Sequence, residues 1–86
     1  MPFYVYILAC KDGTFYTGFT RNVKVRMRLH RLGKGAKYLK THPPDKVVYL
    51  EKFETRSQAM KRERTIKKLT HAQKLKLTKI KKRKVA

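Results

Sequence analysis

The sequence has little of what secreted, zinc-binding or membrane proteins depend on. Its 86 residues include one cysteine, Cys10, so the chain cannot form an internal disulfide or a cysteine-rich zinc site. No apolar run is long enough to cross a bilayer, and the first four residues (MPFY) show neither a basic start nor a cleavage site. We therefore expect a reduced, cytoplasmic protein. The length predicts one small domain with a single core.

Acidic residues are also scarce, because 24 lysines and arginines outnumber five aspartates and glutamates and give a formal net charge of +19. A small domain usually carries a net charge of magnitude roughly 2 to 8. The excess self-repulsion requires a bound polyanion, and we expect nucleic acid. An anionic membrane surface is a weaker alternative, since the basic C-terminal half has no tryptophan and only Phe53 to insert. No obligate protein partner is predicted.

The N-terminal part of the chain predicts a β-hairpin. Residues 3–10 and 14–19 are rich in β-branched and aromatic side chains and flank a short loop. A two-residue turn would put Tyr6 and Tyr16 on opposite sides of the ribbon, whereas a three-residue loop (11–13) with its glycine left-handed puts them together. We favour the longer loop, because it separates an apolar core face from a hydroxyl-bearing face, as in a half-buried sheet.

The next segment is ambiguous between strand and helix. Residues 23–30 alternate apolar and basic side chains, which is a strand pattern. We predict a helix, because Asn22 is a good N-cap and Gly33 sits where helices commonly end. In that helix Arg26 and His30 lie one turn apart. Three apolar residues share one helical face: Val25, Leu29 and Leu32.

The second half of the chain predicts a strand and two helices. The strand spans residues 47–53, after a basic connection and a turn at 43–45. Capping-box patterns begin the helices, at Thr55-x-x-Gln58 and at Thr70-x-x-Gln73. We expect the first helix to end near Leu69 and the second to be shorter. The predicted order is ββαβαα in one domain over residues 1–80, followed by a frayed basic arm at 81–86.

One acidic residue is exceptional in this basic half. From Thr55 onward the chain carries thirteen lysines and arginines and a single carboxylate, Glu63. At about 100° per residue, Glu63 falls within the apolar stripe of its helix. The stripe consists of Ala59, Met60, Ile66 and Leu69. The simpler explanation for Glu63 is an i,i+4 ion pair with Lys67, which would contribute about 0.2 to 0.5 kcal/mol. Such a pair does not require Glu63 to lie within the apolar stripe, whereas a metal-binding or catalytic carboxylate does.

The other four acids have structural explanations, because we expect Asp12 and Asp45 in turns and Glu51 and Glu54 in solvent. A two-metal site needs several carboxylates, but one carboxylate can hold one Mg²⁺, which keeps most of its waters and binds substrate phosphate. A phosphodiesterase would also need a base and a fixed cation, which the tyrosine face and Arg26 can supply. A tyrosine with a pKa near 10 acts as a base only in a strongly positive neighbourhood, which this chain offers.

Together these residues resemble the motifs of the GIY-YIG nuclease superfamily, particularly its short stand-alone bacterial members. The motifs are Val5-Tyr6, Tyr16-Thr17-Gly18, Arg26, Gly33-Lys34-Gly35-Ala36-Lys37-Tyr38 and Lys61-Arg62-Glu63. The resemblance extends from about Phe3 to Leu69 and implies a three-stranded antiparallel sheet flanked by helices, an α+β fold. Two positions depart from it: Tyr4 replaces a motif glycine, and Phe19 stands where several such nucleases place a polar or basic residue.

The resemblance also implies an activity, the hydrolysis of DNA phosphodiester bonds by an endonuclease that uses one Mg²⁺ or Mn²⁺ ion. Tyr6 matches the general base, Arg26 the residue that clamps the phosphate, and Glu63 the metal ligand. The remaining matches are Tyr16, which orders water or phosphate, Gly18, which allows close packing, and His30, a histidine that some members carry one turn after the arginine.

Basic residues outside these motifs are expected to follow the phosphate backbone. The candidates for nucleic-acid binding, with one aromatic residue among them, are Arg21, Lys34, Lys37, Tyr38 and Lys40. A non-catalytic nucleic-acid-binding protein on the same scaffold would use the same surface. It is the alternative to the nuclease.

Overall fold

The computed structural model describes residues 2–34 and 37–85, with side chains described as far as Lys79. The elements in chain order are β1 (Phe3–Cys10), β2 (Phe15–Thr20), α1 (Val23–Arg31), α2 (Tyr38–Thr41), β3 (Pro44–Phe53), α3 (Arg56–Lys67) and α4 (His71–Val85). The predicted α+β fold, a three-stranded antiparallel sheet flanked by helices, is confirmed. The order ββαβαα gains one element, the single-turn helix α2 in the segment predicted to be a basic connection.

The hairpin has the longer of the two loops considered. Leu8 pairs with Tyr16 across β1 and β2, and Gly13 adopts a left-handed φ of 86°. The Asp12 carboxylate closes the loop by accepting hydrogen bonds from the backbone N–H of Thr14 (3.1 Å) and from its hydroxyl (2.7 Å). Because side chains alternate along a strand, this register puts Tyr6 and Tyr16 on the same side of the sheet, as predicted.

Both faces of the sheet are covered, so the prediction of a half-buried sheet is wrong. One face packs into a cluster with α3 that includes Val5, Ile7 and Ile66, all with no exposed surface. The other face, with Tyr6 and Leu8 each 1% exposed, packs against residues of α1 and α2. The Tyr6 hydroxyl does not need solvent, because it forms a hydrogen bond with His30.

Thr17 in β2 is buried with its hydroxyl unpaired among the described residues. We expect Thr17→Val to raise the free energy of unfolding by about 1 kcal/mol, since it removes a buried hydroxyl that gains no hydrogen bond. The matched control is Thr20→Val, because the Thr20 hydroxyl donates to the Asn22 carbonyl and accepts from the Asn22 N–H. That variant should lose about 1 kcal/mol. Urea denaturation measures the free energy of unfolding of both variants. Equal losses in the two would contradict the view that the Thr17 hydroxyl gains no hydrogen bond.

Helix α1 begins and ends as predicted. The Asn22 side chain accepts a hydrogen bond from the Val25 N–H, and Gly33 closes the C-terminal end with a φ of 74°. The shared face of Val25, Leu29 and Leu32 does not pack on the sheet, since Val25 is 50% and Leu32 63% exposed. Met27 and His30 face the sheet instead. The apolar pattern therefore identified the helix but not the side that it buries.

Strand β3 begins earlier than predicted. It starts at Pro44, which pairs with Cys10, so the turn expected at residues 43–45 is wrong and Asp45 is an exposed strand residue. Proline is tolerated at the first position of a strand, where no N–H is needed for the ladder. Two register shifts against β1, between Ile7 and Leu8 and between Ala9 and Cys10, absorb the extra residues.

The two C-terminal helices begin at the predicted capping boxes. Thr55 and Gln58 exchange the two expected hydrogen bonds, as do Thr70 and Gln73. Helix α4 has 15 residues against 12 in α3, so the prediction of a shorter second helix is wrong. Among the described residues, no helix combines the length and apolar character that a membrane span requires. A basic arm at residues 81–86 stays a prediction, because the side chains there lie outside the described part.

Candidate active site

The centre of the site is a hydrogen bond between Tyr6 on β1 and His30 on α1. The Tyr6 hydroxyl lies 2.9 Å from His30 Nε2, and both side chains are buried. Burial lowers the pKa of His30, and the positive charge of Arg26 lowers it further. His30 is therefore neutral near pH 7, and in the tautomer that carries its proton on Nδ1, its Nε2 can accept the Tyr6 proton.

Burial has the opposite effect on the Tyr6 phenol. It raises the pKa of Tyr6 strongly, the neighbouring Tyr16 raises it further, Arg26 lowers it and Glu63 raises it again. The prediction that positive surroundings would favour a Tyr6 phenolate is therefore wrong for the substrate-free protein. One nearby arginine does not compensate for the loss of solvent around the phenol.

Tyr16 packs beside this pair and is more open to solvent. Its ring centroid lies 6.4 Å from that of Tyr6 and 5.7 Å from that of His30, edge-on to the imidazole. Burial raises the pKa of Tyr16, Glu63 raises it further, and Arg26 lowers it. Tyr16 and His30 therefore both pack beside the Tyr6 ring, and Arg26 and Glu63 influence the pKa of both phenols.

Gly18 explains how the Tyr6 hydroxyl reaches its position. A Cβ built on Gly18 would lie 2.6 Å from Tyr6 Oη and 2.9 Å from Tyr6 Cζ. Real Cβ atoms do not approach other atoms so closely. Gly18 thus provides the close packing that the motif resemblance implies for it.

Glu63 combines the two possibilities considered for it. Its side chain is 17% exposed and close enough to Tyr6 and Tyr16 to raise the pKa of both, as expected for a residue that points inward. The Lys67 ammonium also lies 3.5 Å from its Oε2 atom, so the predicted i,i+4 ion pair is present. Glu63 is therefore neither a purely surface residue nor free of a partner.

Glu51 was missed as a structural residue. It was expected in solvent, but its Oε1 accepts a hydrogen bond from Arg62 Nε at 3.1 Å and another from the Tyr49 hydroxyl. This pair ties β3 to α3 at the residue before Glu63. The partners are 11 residues apart in sequence, so no local spacing signals them. Glu54 is exposed, as predicted.

The donors available near Glu63 suit a hard metal ion held mainly by water and substrate. Within the described part of the chain, no three His, Cys, Asp or Glu side chains cluster in a way that could hold a metal. Mg²⁺ accepts one or two carboxylates and takes its other ligands from waters and phosphate oxygens. The single Glu63 carboxylate fits such an ion, and it does not fit a zinc site with three or four protein ligands.

Comparison with known proteins identifies the family. The family model of the GIY-YIG catalytic domain matches residues 2–76. The chain belongs to the GIY-YIG family. The UPF0213 protein SH2523 of Staphylococcus haemolyticus is 53% identical over 74 residues, which cover 86% of this chain and 90% of that protein. The UPF0213 protein CPE1444 of Clostridium perfringens is also 53% identical over 74 residues, covering 86% and 80%.

Two solved structures share the fold of this GIY-YIG domain. The solution structure of the UPF0213 protein BH0048 from Bacillus halodurans has a TM-score of 0.61 at 42% identity, covering 94% of this chain and 86% of that chain. The protein EF2693 from E. faecalis gives 0.64 at 43% identity, with 93% and 85% covered. GIY-YIG nucleases typically use a divalent metal ion, and a nuclease domain implies a nucleic-acid substrate.

The nucleic-acid-binding candidates of the GIY-YIG domain lie on its surface. Arg21, Lys34, Lys37 and Lys40 are exposed, and Tyr38 is 37% exposed. The Tyr38 ring stacks on His42 at 4.0 Å and on Tyr16 at 5.9 Å, so it connects the surface to the site. His42 lies four residues after Tyr38, a spacing that brings two side chains together on a helical turn. Gly35 and Ala36 of the motif lie outside the described residues.

Proposed function

We propose that this chain is a divalent-metal-dependent endonuclease that hydrolyses DNA phosphodiester bonds. The proposal rests on one contact, the 2.9 Å hydrogen bond between the Tyr6 hydroxyl and His30 Nε2, beside which Arg26 and Glu63 act on the same phenol. A phenol that can pass its proton to a neutral imidazole has the means to act as a base despite a raised pKa. The absence of a membrane-spanning helix among the described residues is compatible with a cytoplasmic location.

The proposed base is the Tyr6–His30 pair rather than a preformed phenolate. As a water molecule attacks phosphorus, the Tyr6 oxygen takes the water proton and the phenol proton passes to His30 Nε2. The pair then holds one extra proton on the imidazole, and Tyr6 remains neutral throughout. Tyr16 lies beside Tyr6 and is partly exposed, so solvent and substrate would approach the Tyr6–His30 pair from the side of Tyr16.

Arg26 and Glu63 have complementary tasks. Arg26 lies one turn before His30 on α1 and would bind the non-bridging oxygens of the scissile phosphate, where negative charge increases in the transition state. Glu63 would hold a divalent ion, which when bound neutralises phosphate charge and stabilises the leaving oxygen. Lys67 Nζ lies 3.5 Å from Glu63 Oε2, so an ion that binds Glu63 would have to compete with this ammonium.

A non-catalytic nucleic-acid-binding protein is the second candidate. The Lys67 ion pair on the carboxylate and the strongly raised pKa of Tyr6 favour it. The net charge of +19 serves either function equally. Only turnover separates the two.

The test is a cleavage assay on plasmid, branched DNA and structured RNA with Mg²⁺ or Mn²⁺, beside samples containing EDTA. We expect metal-dependent nicking, and we expect Tyr6→Phe to be slower by about 10²-fold, because general-base catalysis typically contributes 10² to 10⁴. Tyr16→Phe is the matched control, which also removes one phenol oxygen but not the His30 bond, and it should lose less. Tight binding without cleavage of any substrate would favour the binding protein, and a larger loss in Tyr16→Phe would move the base to Tyr16.

A further inference from the structure

A groove of about 460 Å³ lies beside the candidate active site, where the end of β2, helix α1 and the first residue of α3 meet. Part of its lining is apolar and comes from Phe3, Phe19, Val25 and Leu29. Val25 is 50% exposed, so an apolar side chain is open to solvent on a surface that is otherwise strongly basic, given the net charge of +19. An open apolar surface next to a catalytic site is a place where an apolar part of a ligand can bind.

The rest of the lining is cationic, apart from the neutral polar residues Thr20 and Asn22. Arg21, Arg26 and Arg56 line the groove, and none of its described lining residues is acidic. The Arg21 guanidinium is held 5.0 Å above the Phe3 ring. Arg26 is the residue that acts on Tyr6 and His30, so the groove begins at the site where the scissile phosphate is proposed to bind. A ligand in the groove therefore carries negative charge and continues from that phosphate.

The cationic surface continues beyond the groove along α3. Arg56 also lines a second groove, of about 310 Å³, together with Lys61 and Arg64. The two grooves share Arg56, so a chain of phosphates can leave Arg26, pass Arg56 and reach Arg64. The residues along this path are different from the other nucleic-acid-binding candidates, Lys37, Tyr38 and Lys40, which line neither groove.

The mixture of apolar and cationic lining distinguishes single-stranded from duplex nucleic acid. A duplex keeps its bases stacked inside and offers a surface mainly of phosphates, so it would leave Phe19, Val25 and Leu29 without a partner. An unpaired strand offers base faces together with phosphates, and proteins bind such strands with aromatic or apolar surfaces inside basic grooves. The guanidinium of Arg21, held over Phe3, also offers a flat face for a base.

We propose that this groove binds the unpaired nucleotides next to the scissile phosphate, so that the substrate carries a single-stranded segment beside the cleaved bond. The inference rests on the proposed function, because Arg26 relates the groove to the cleaved bond. Flaps, splayed arms and loops are substrates of this class, whereas uninterrupted duplex is not.

The test measures binding in EDTA, where no cleavage occurs, by fluorescence anisotropy with a labelled oligothymidylate and a labelled duplex hairpin that carry equal numbers of phosphates. Val25→Glu puts an anion into the groove. Leu32→Glu is the matched control: it makes the same charge change seven residues later, at the C-cap of α1 and outside the groove, at a position 63% exposed. We expect Val25→Glu to weaken single-strand binding about tenfold beyond Leu32→Glu, and to weaken duplex binding no more than Leu32→Glu does.

Equal effects of Val25→Glu and Leu32→Glu on single-strand binding would overturn the inference, as would equal losses for strand and duplex. The wild-type chain offers a second measurement that depends on no variant. Titration with the oligothymidylate should shift the amide NMR signals of residues 19–29 and 56–61 most, and shifts absent from both segments would also overturn it. Failure of the nuclease proposal looks different, since no substrate would then be cut with Mg²⁺ or Mn²⁺ while the selective loss in Val25→Glu persisted.

Discussion

Replacing Glu63 by glutamine should slow cleavage by at least about 10³-fold, since a metal ion that stabilises transition-state charge contributes several kcal/mol. Glutamine keeps the size of the side chain but loses the charge that would hold the ion. Folding should hardly change, because Glu63 is partly exposed and its ion pair with Lys67 contributes only about 0.3 to 0.5 kcal/mol. DNA binding in EDTA should be equal or slightly tighter, since one negative charge is removed from a basic surface. Initial rates and anisotropy measure these effects.

The control for this experiment is Lys67→Gln. It breaks the same ion pair but leaves the carboxylate of Glu63 in place, so cleavage should persist at saturating metal. If Lys67→Gln loses as much activity as Glu63→Gln, the ion pair itself is what matters and Glu63 is a structural residue. If Glu63→Gln cleaves at the rate of the wild type, Glu63 is not the metal ligand.

The features that the sequence predicted correctly depend on local chemistry. The loop of the hairpin followed from one glycine with its flanking strands, and Gly13 has the left-handed φ that this loop requires. The starts of α1, α3 and α4 followed from side chains that cap helices within three residues. Such interactions are complete within a few positions of the chain, so tertiary packing did not need to be known.

The features that were predicted wrongly depend on what packs against an element. The hydroxyl-bearing face of the hairpin looked half-exposed because nothing in the sequence shows that α1 and α2 cover it. The apolar face of α1 looked like the side that would be buried, but it is largely exposed. The side that is buried carries His30, because Tyr6 provides a hydrogen-bond partner there. β3 starts at Pro44 because pairing with β1 extends it. Glu51 is paired because Arg62, on another element, reaches it.

The roles of the candidate site residues stay predictions, and what the structure adds is their positions and their electrostatics. Tyr6 and Tyr16 share one side of the sheet, as the hairpin loop indicated, and Arg26 and Glu63 influence the pKa of both phenols. The state of Tyr6 was not predictable, because a pKa depends on burial as much as on charge. Net charge is visible in a sequence, whereas the 1% exposure of Tyr6 is not. The role of His30 as the hydrogen-bond partner of Tyr6 required coordinates for the same reason.

Gly18→Ala should be the most destabilising single-methyl change in the site. The added Cβ would lie 2.6 Å from Tyr6 Oη and 2.9 Å from Tyr6 Cζ, and the Tyr6 ring cannot retreat because it is 1% exposed and bonded to His30. We expect a loss of about 2 to 3 kcal/mol in the free energy of unfolding, at the upper end of the usual cost of overpacking. Cleavage should fall as well, because the hydroxyl must leave His30. Urea denaturation gives the first quantity.

The double variant Gly18→Ala with Tyr6→Phe tests whether the Tyr6 hydroxyl is the cause. Tyr6→Phe removes the atom at 2.6 Å and leaves the ring carbon at 2.9 Å, so it should relieve part of the clash but not all of it. We expect the double variant to be more stable than the sum of the single losses by about 1 kcal/mol, a coupling typical of residues in contact. Additive losses would mean that the strain lies elsewhere, for example against Tyr16 Cε2 at 3.2 Å. A positive coupling would show that Gly18 is required by the position of the phenol that the proposed chemistry uses.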